Sequence, residues 1–120
     1  MAIKINLEST KIPVEIGNLK FEIDVEDRKH DTFIRTFNSF LTDINQLDEN
    51  NVDDSLKLKK MITEVYEELL GIGSFDKVYN KVPNISIVAG ILMQVVEELS
   101  KIINQKILPK NEFKLMSKND

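Results

Sequence analysis

The residues of this sequence best suited to chemistry are one histidine, a run of carboxylates, a glycine-containing turn and scattered serines. His30 is the only histidine, and it lies among Asp24, Glu26, Asp27 and Asp31. A dedicated zinc site needs several ligands at fixed spacing, which one imidazole among scattered carboxylates does not supply. We therefore interpret His30 as a solvated residue near the start of a helix.

A second candidate is an acidic stretch that suggests a calcium site. The twelve-residue calcium loop requires a glycine at its sixth position and a closing bidentate glutamate, and neither is placed correctly here. We interpret the stretch as a linker between two helices. Its acidic members are Asp43, Asp48, Glu49, Asp53 and Asp54.

The turn Gly71–Ser74 precedes a predicted helix, where backbone N–H groups could face a phosphate. No P-loop lysine follows it and no strand precedes it, so a helix-to-helix turn explains the pattern better. Nucleophilic catalysis is also unsupported, because cysteine is absent and His30 has no fixed spacing to Ser39, Ser55 or Ser74. We expect no enzymatic activity, no metal and no cofactor.

Length and composition favour one small folded domain in a reducing compartment. The 120 residues suit a single core, and without cysteine no disulfide framework is available. The stretch 22–54 carries ten Asp or Glu residues and three Arg or Lys residues, which disfavours nucleic acid as a partner. The longest uncharged run, residues 82–96, is too short for a bilayer. We expect a soluble, cytoplasmic protein without membrane or small-molecule partners.

The first 25 residues alternate with the period of two that is typical of strands. Three apolar runs share this period: Ile3 to Leu7, Ile12 to Ile16, and Leu19 to Val25. Gly17-Asn18 tolerates the positive φ of a tight hairpin between the last two runs. We predict an N-terminal β-hairpin of two or three short strands. Pro13 cannot donate to a ladder, so its strand should be an edge or its nitrogen should face outward.

The remaining sequence predicts an α+β fold in which the hairpin packs on a helical body of three to four helices. Helix one begins near residues 27–31 and carries a stripe containing three phenylalanines; helix two, about residues 55–70, is capped by Asp53 or Asp54. A short helix follows over residues 74–81. We predict one domain over residues 1–108, with a hairpin region at 1–25 and a helical body at 27–108. Residues 109–120 should form a mobile tail.

The last helix, from about Ser86 to Leu108, has apolar residues over roughly two-thirds of its circumference, more than one packing surface needs. One edge of this wide arc carries Ile87, Ile91 and Ile102, and the other carries Met93 and Ile107. These five residues are the candidate protein-binding surface, because contiguous exposed apolar patches usually mark interaction sites. The alternative is that helices one and two cover both edges.

The order of these elements resembles the tail assembly chaperones of long-tailed phages and prophages of low-GC Gram-positive bacteria. The resemblance covers residues 3–108. It is carried by the hairpin KIPVEIGNLKFEIDV, by the Phe-rich helix, and by EVYEELLGIGSFDKVYNKVPNI ahead of the long apolar helix. Its most specific part is ELLGIGSFDKVY, residues 68–79, where one helix ends at Leu-Gly-x-Gly and the next begins.

The resemblance implies a protein that binds the tape measure protein and keeps it soluble during assembly of the tail tube in the host cytoplasm. It implies no catalytic, metal or cofactor residues. Two alternatives stay open: a structural virion component, such as a head-tail connector or tail subunit, and a small phage regulatory protein that binds a host factor. A homo-oligomer is compatible with each of these functions.

Overall fold

The computed structural model describes residues 2–5, 7, 9–48 and 50–107, with the backbone alone for residues 105–107. The predicted α+β fold is confirmed: a two-stranded antiparallel hairpin precedes four helices. The expected tail at 109–120 lies outside the described residues. The elements are β1 (Lys11–Ile16), β2 (Leu19–Asp24), α1 (Asp27–Ile44), α2 (Val52–Leu70), α3 (Ser74–Lys81) and α4 (Ile85–Ile107).

Spatial contacts divide the described residues into two compact units, one up to Ile85 and the other from Ser86 onward. The first unit holds the hairpin and the first three helices. The second consists of the body of α4. The single domain over residues 1–108 stays a prediction.

The hairpin forms as the alternation predicts. Gly17, at φ +60°, occupies the turn, and the apolar residues of the two strands face each other across the ladder. Ile12 pairs with Ile23 and both are buried, and β2 contacts α2 and α3, so this end of the apolar face is covered. The pairs towards the turn, Val14 with Phe21 and Ile16 with Leu19, are only half-buried.

A third strand at Ile3–Leu7 is absent from the described part of the chain, so the three-strand alternative is wrong there. Residues 2–5 and 7 adopt no regular structure. The physical reason lies at Thr10, which continues the β1–β2 ladder: its carbonyl accepts from the Val25 N–H at 2.8 Å and its hydroxyl donates to Asp24 at 2.8 Å. Ser9 and Thr10 therefore do not form the tight turn that would return the run along β1.

The register also places Pro13. In an antiparallel ladder, residues alternate between those that bond to the neighbouring strand and those whose backbone groups face outward. The Val25 to Thr10 bond puts the even residues of β1 in the first class, so the nitrogen of Pro13 faces the open edge. The prediction that Pro13 sits on an edge with its nitrogen outward is confirmed.

α1 buries the predicted aromatic stripe. Phe33, Phe37 and Phe40 are buried, with ring centroids 5.6 Å and 6.1 Å apart along the stripe. The predicted apolar stripe also includes Leu41 and Leu47. In the structure Leu41 remains exposed, and Leu47 lies beyond the end of the helix. The helix contacts α2.

The start of α2 differs from the prediction. The helix begins at Val52, and its cap is Asn51, whose side-chain oxygen accepts from the N–H groups of Asp53 and Asp54. Asp54 instead accepts from the Asp48 N–H at 2.8 Å. Capping by Asp53 or Asp54 was therefore wrong, because Asn51 stands two and three residues before the free N–H groups that a cap must reach.

We expect Asn51→Ala to lower the free energy of unfolding by about 1 kcal/mol, because it removes the side-chain acceptor for two N–H groups. Urea unfolding measured by circular dichroism would test this. Asn50→Ala is the matched control, since Asn50 bonds to Asp48 through its backbone N–H. Equal losses in the two variants would contradict the cap.

Hydrogen bonds from the Glu26 N–H and the Thr10 hydroxyl, together with Lys29 at 3.2 Å, hold the pKa of Asp24 below its ordinary value. A depressed folded pKa adds stability above about pH 4 that is lost as the pH falls through the folded value. We expect Asp24→Asn to flatten the decline in stability on acidification below about pH 4. Thermal unfolding across that range would test this, and identical acid limbs for variant and parent would contradict it.

Candidate protein-binding surface

The residues considered for chemistry are dispersed or already engaged. His30 is half-buried in the first turn of α1, where its backbone N–H bonds to the Glu26 carbonyl. The Asp24 carboxylate, at the end of β2, accepts hydrogen bonds from the Thr10 hydroxyl, the Glu26 N–H and the Lys29 ammonium. Across the described residues, no three histidine or acidic side chains are grouped so as to hold a metal ion.

The linker interpretation is only partly right, because Asp43 belongs to α1 and Asp53 and Asp54 belong to the first turn of α2, while Asp48 lies in the connection and Glu49 is outside the described residues. The backbone N–H of Asp48 donates to the Asp54 carboxylate at 2.8 Å, and the Asp48 carboxylate accepts from the Asn50 N–H at 2.9 Å. Lys57 lies 3.8 Å from Asp54. These carboxylates hold the turn together and do not converge on a common point.

The turn Gly71–Ser74 joins α2 to α3, and its polar groups are satisfied within the chain. The N–H groups of Gly71 and Gly73 donate to the carbonyl and the carboxylate of Glu67, at 3.1 Å and 3.2 Å. The buried Ser74 hydroxyl donates to the Tyr66 carbonyl at 3.0 Å. This arrangement supports the interpretation as a helix-to-helix turn.

An aromatic cluster lies beneath this turn. Tyr66 meets Phe75 edge-on at 5.8 Å, Phe75 stacks on Tyr79 at 5.3 Å, and the Lys59 ammonium lies 4.3 Å from the Tyr79 ring centre. Burial raises the pKa of the Tyr66 phenol well above its ordinary range. The cluster therefore packs α3 onto α2.

A groove of about 340 Å³ runs between α1 and α2. Its lining includes the hydroxyls of Thr36 and Ser39 beside the charged groups of Arg35, Asp43 and Glu64. No histidine or cysteine is among the residues that line it, and the Thr36 hydroxyl already donates to the Thr32 carbonyl.

The apolar surface of α4 consists of a buried strip with a less buried flank on each side. Val88, Leu92 and Leu99 are buried and project within about 40° of one another, at 100° per residue. One flank carries Ile87, Ile91 and Ile102, and the flank on the opposite side of the strip carries Ala89 and Met93. We call these the isoleucine flank and the methionine flank.

Both flanks reach solvent. Ile87 is 51% exposed, and Ile91 and Ile102 are half-buried, so the isoleucine flank is partly covered along its length. Met93, on the methionine flank, is 44% exposed. Ile107 belongs to α4, but its side chain lies outside the described residues. The structure thus brings the candidate residues onto one helix in two rows, and does not unite them in a single patch.

The polar side of α4 borders both flanks with carboxylates. Lys101 lies 3.4 Å from Glu98 and 3.8 Å from Glu97, forming a small exposed ion-pair network. Such pairs contribute little to stability, about 0 to 1 kcal/mol each, because water screens them. Glu97 and Lys101 keep the side of the helix between the flanks solvated, whereas Glu98 projects in the direction of the isoleucine flank and places a carboxylate between Ile91 and Ile102 along the helix.

Other apolar residues are exposed at positions that the helical and strand periodicity did not predict. The most prominent is Ile72, 94% exposed at the tip of the turn between two glycines of positive φ. The position of Ile72 between Gly71 and Gly73 could have predicted its exposure, because the two helices that a turn joins do not cover the tip of that turn. On α1 and α2 the large apolar side chains that are exposed are Ile34, Leu41, Val52 and Leu56.

Comparison with protein-family models, curated proteins and solved structures finds no match for this chain. Within the described ranges, none of the helices combines the length and the apolar character that a membrane span requires.

Two neighbouring residues should separate the buried strip from the flank. We expect Leu92→Ala to cost about 2 to 5 kcal/mol in the free energy of unfolding, because a buried leucine leaves a cavity. Met93→Ala should cost less than about 1 kcal/mol, because its side chain is already half in water. Chemical unfolding of both variants would test this, and similar losses would show that the flank is buried too.

Proposed function

We propose that this chain is a tail assembly chaperone that binds the tape measure protein and keeps it soluble while the tail tube polymerises around it. The observation that carries the proposal is the paired set of partly exposed apolar flanks on α4. A single packed helix needs one buried strip, and the extra apolar width leaves area for a second helix. The tape measure as partner comes from the resemblance.

The flanks have the form that an amphipathic helix recognises. Ile87 and Ile91 are four residues apart, and Ile87 to Ile102 spans about 22 Å at 1.5 Å per residue. A partner helix of about 15 residues would cover this length, with apolar residues at helical spacing set against the isoleucine row. Met93 on the other flank is a flexible side chain that adapts to different partner surfaces.

Partial burial also suits a chaperone that must release its client. A fully buried apolar side chain contributes about 1.5 to 3 kcal/mol, and side chains that are already half-covered have only part of that left to gain. Binding through a row of such residues gives modest affinity per site. A long client with many apolar helical segments can then bind several copies, and tube assembly can displace them one at a time.

Charge and compartment fit this proposal. The chain carries a net charge of −4, and its acidic residues are concentrated between residues 22 and 54. Repulsion between these charges keeps a chaperone with exposed apolar flanks from associating nonspecifically. The absence of cysteine suits a reducing cytoplasm, where tails assemble. No cofactor or nucleic acid enters the proposed mechanism.

Co-expression tests the proposal directly. A tape measure chain encoded beside this protein should be largely insoluble alone and should gain soluble yield when co-expressed with it. Ile87→Glu combined with Met93→Glu should remove most of that gain, because a charge on each flank must be desolvated when a client helix docks. The measurement is the soluble fraction of the tape measure chain.

Ile72→Glu is the matched control, since it places the same charge on a more exposed isoleucine outside α4. Circular dichroism should show that all variants stay folded. If the tape measure chain is equally insoluble with and without this protein, the chaperone function is wrong. Self-assembly of the purified protein into rings or tubes would favour a structural virion component instead.

A further inference from the structure

The most exposed apolar segment among the described residues is the N-terminal run, which contains Ile3, Ile5 and Leu7. These side chains are 90%, 80% and 95% exposed. They alternate with polar residues in the period of two that fits a strand with one apolar face. Exposure of three large aliphatic side chains in one short segment is costly in water, so a covering surface is expected.

The sheet of this chain offers such a surface. It has two strands, and β1 bonds to β2 alone, so the outer edge of β1 is open in the described structure. A two-stranded hairpin is marginal by itself, and only β2 contacts the helices strongly. Val14 and Ile16, at the turn end of β1, are half-buried. A strand added beside β1 would cover them.

Pairing of the N-terminal run with β1 of the same chain is disfavoured by the short connection between them. For Leu7 to lie opposite Ile12, Ser9 and Thr10 would have to stand at a tight turn, where hairpins require glycine or asparagine at positive φ. Thr10 is β-branched and is also tied to Asp24 and to Val25. A second molecule can supply the same strand without that turn.

We propose that the N-terminal run of one copy pairs antiparallel with β1 of a second copy, and that the exchange is reciprocal. The register that continues the apolar face sets Leu7 against Ile12, Ile5 against Val14, and Ile3 against Ile16. The same register sets Lys4 against Glu15 on the polar face. Both of these side chains are exposed, so the charges match without any rearrangement of the fold.

The edge itself sets a modest affinity. The outward backbone groups of β1 belong to Lys11, Pro13 and Glu15, by the alternation that Thr10 and Val25 establish. Pro13 provides a carbonyl and no N–H, and the Lys11 N–H is bonded to the Ser9 hydroxyl at 3.0 Å. The ladder between the two copies therefore lacks the donor that Pro13 cannot supply, and the Lys11 N–H must leave the Ser9 hydroxyl in order to join it. These two costs predict a reversible dimer rather than an extended aggregate.

A charge exchange tests the register in the full chain. Sedimentation equilibrium should show a monomer–dimer equilibrium for the parent protein. Lys4→Glu and Glu15→Lys should each weaken dimerisation by about tenfold, because each places two like-charged pairs in the dimer. An equimolar mixture of the two variants should recover the parent affinity, since both cross-strand pairs are then opposite in charge.

The mixture isolates the intermolecular contact. Lys20 faces Glu15 within each hairpin and is unchanged in every sample, so it cannot explain recovery on mixing. Ile5→Lys should abolish dimerisation, whereas Ile72→Lys, an equally exposed isoleucine elsewhere, should leave it unchanged. Pro13→Val should strengthen it by restoring the missing donor.

A protein that stays monomeric at all concentrations overturns this inference, whether the run then folds back on its own β1 or binds another protein. A dimer that is insensitive to Ile5→Lys, or whose two charge variants do not recover on mixing, overturns it as well. These measurements use the purified chain alone. Their outcome is independent of the tape measure experiment.

Discussion

Burial of the apolar face of α2 is the interaction on which the rest of the first unit depends. Ile62, Val65 and Tyr66 are almost completely inaccessible, and α2 contacts α1, α3 and β2. The turn after it is fixed by the same helix, because the Tyr66 carbonyl accepts from Ser74 and the Glu67 carboxylate accepts from Gly73. Each neighbouring element therefore takes its position from one helix, which explains how so small a unit maintains an ordered core.

Much of this fold was readable from the sequence because its local signals agree. The period of two and Gly17-Asn18 predict the hairpin, and the turn Gly71–Ser74 predicts the start of α3 at the residue where the structure has it. The errors arose where a distant or competing hydrogen bond decides. Asn51 caps α2 in place of Asp53 or Asp54, and Thr10 bonds to Val25 and Asp24 and does not form the turn that a third strand beside β1 would need.

The candidate site was predictable in outline and not in detail. The arc of apolar residues on α4 follows from spacing alone, and so does the conclusion that it is too wide for one packing surface. Periodicity cannot say which part of an arc is buried, because every direction within it is equally apolar. The structure resolves this: Val88, Leu92 and Leu99 form the buried strip, and Ile87 and Met93 lie at its partly exposed edges.

The two exposed apolar sets of this protein differ in geometry, and the difference decides what each can bind. Ile87, Ile91 and Ile102 follow the spacing of a helix and present no free backbone groups, so they suit the apolar face of another helix. Ile3, Ile5 and Leu7 follow the spacing of a strand, and a strand must also satisfy its backbone N–H and carbonyl groups. A helical client cannot satisfy them, but the edge of a sheet can. The proposed client and the proposed second copy therefore require different contacts, an apolar helix face for one and a backbone ladder for the other.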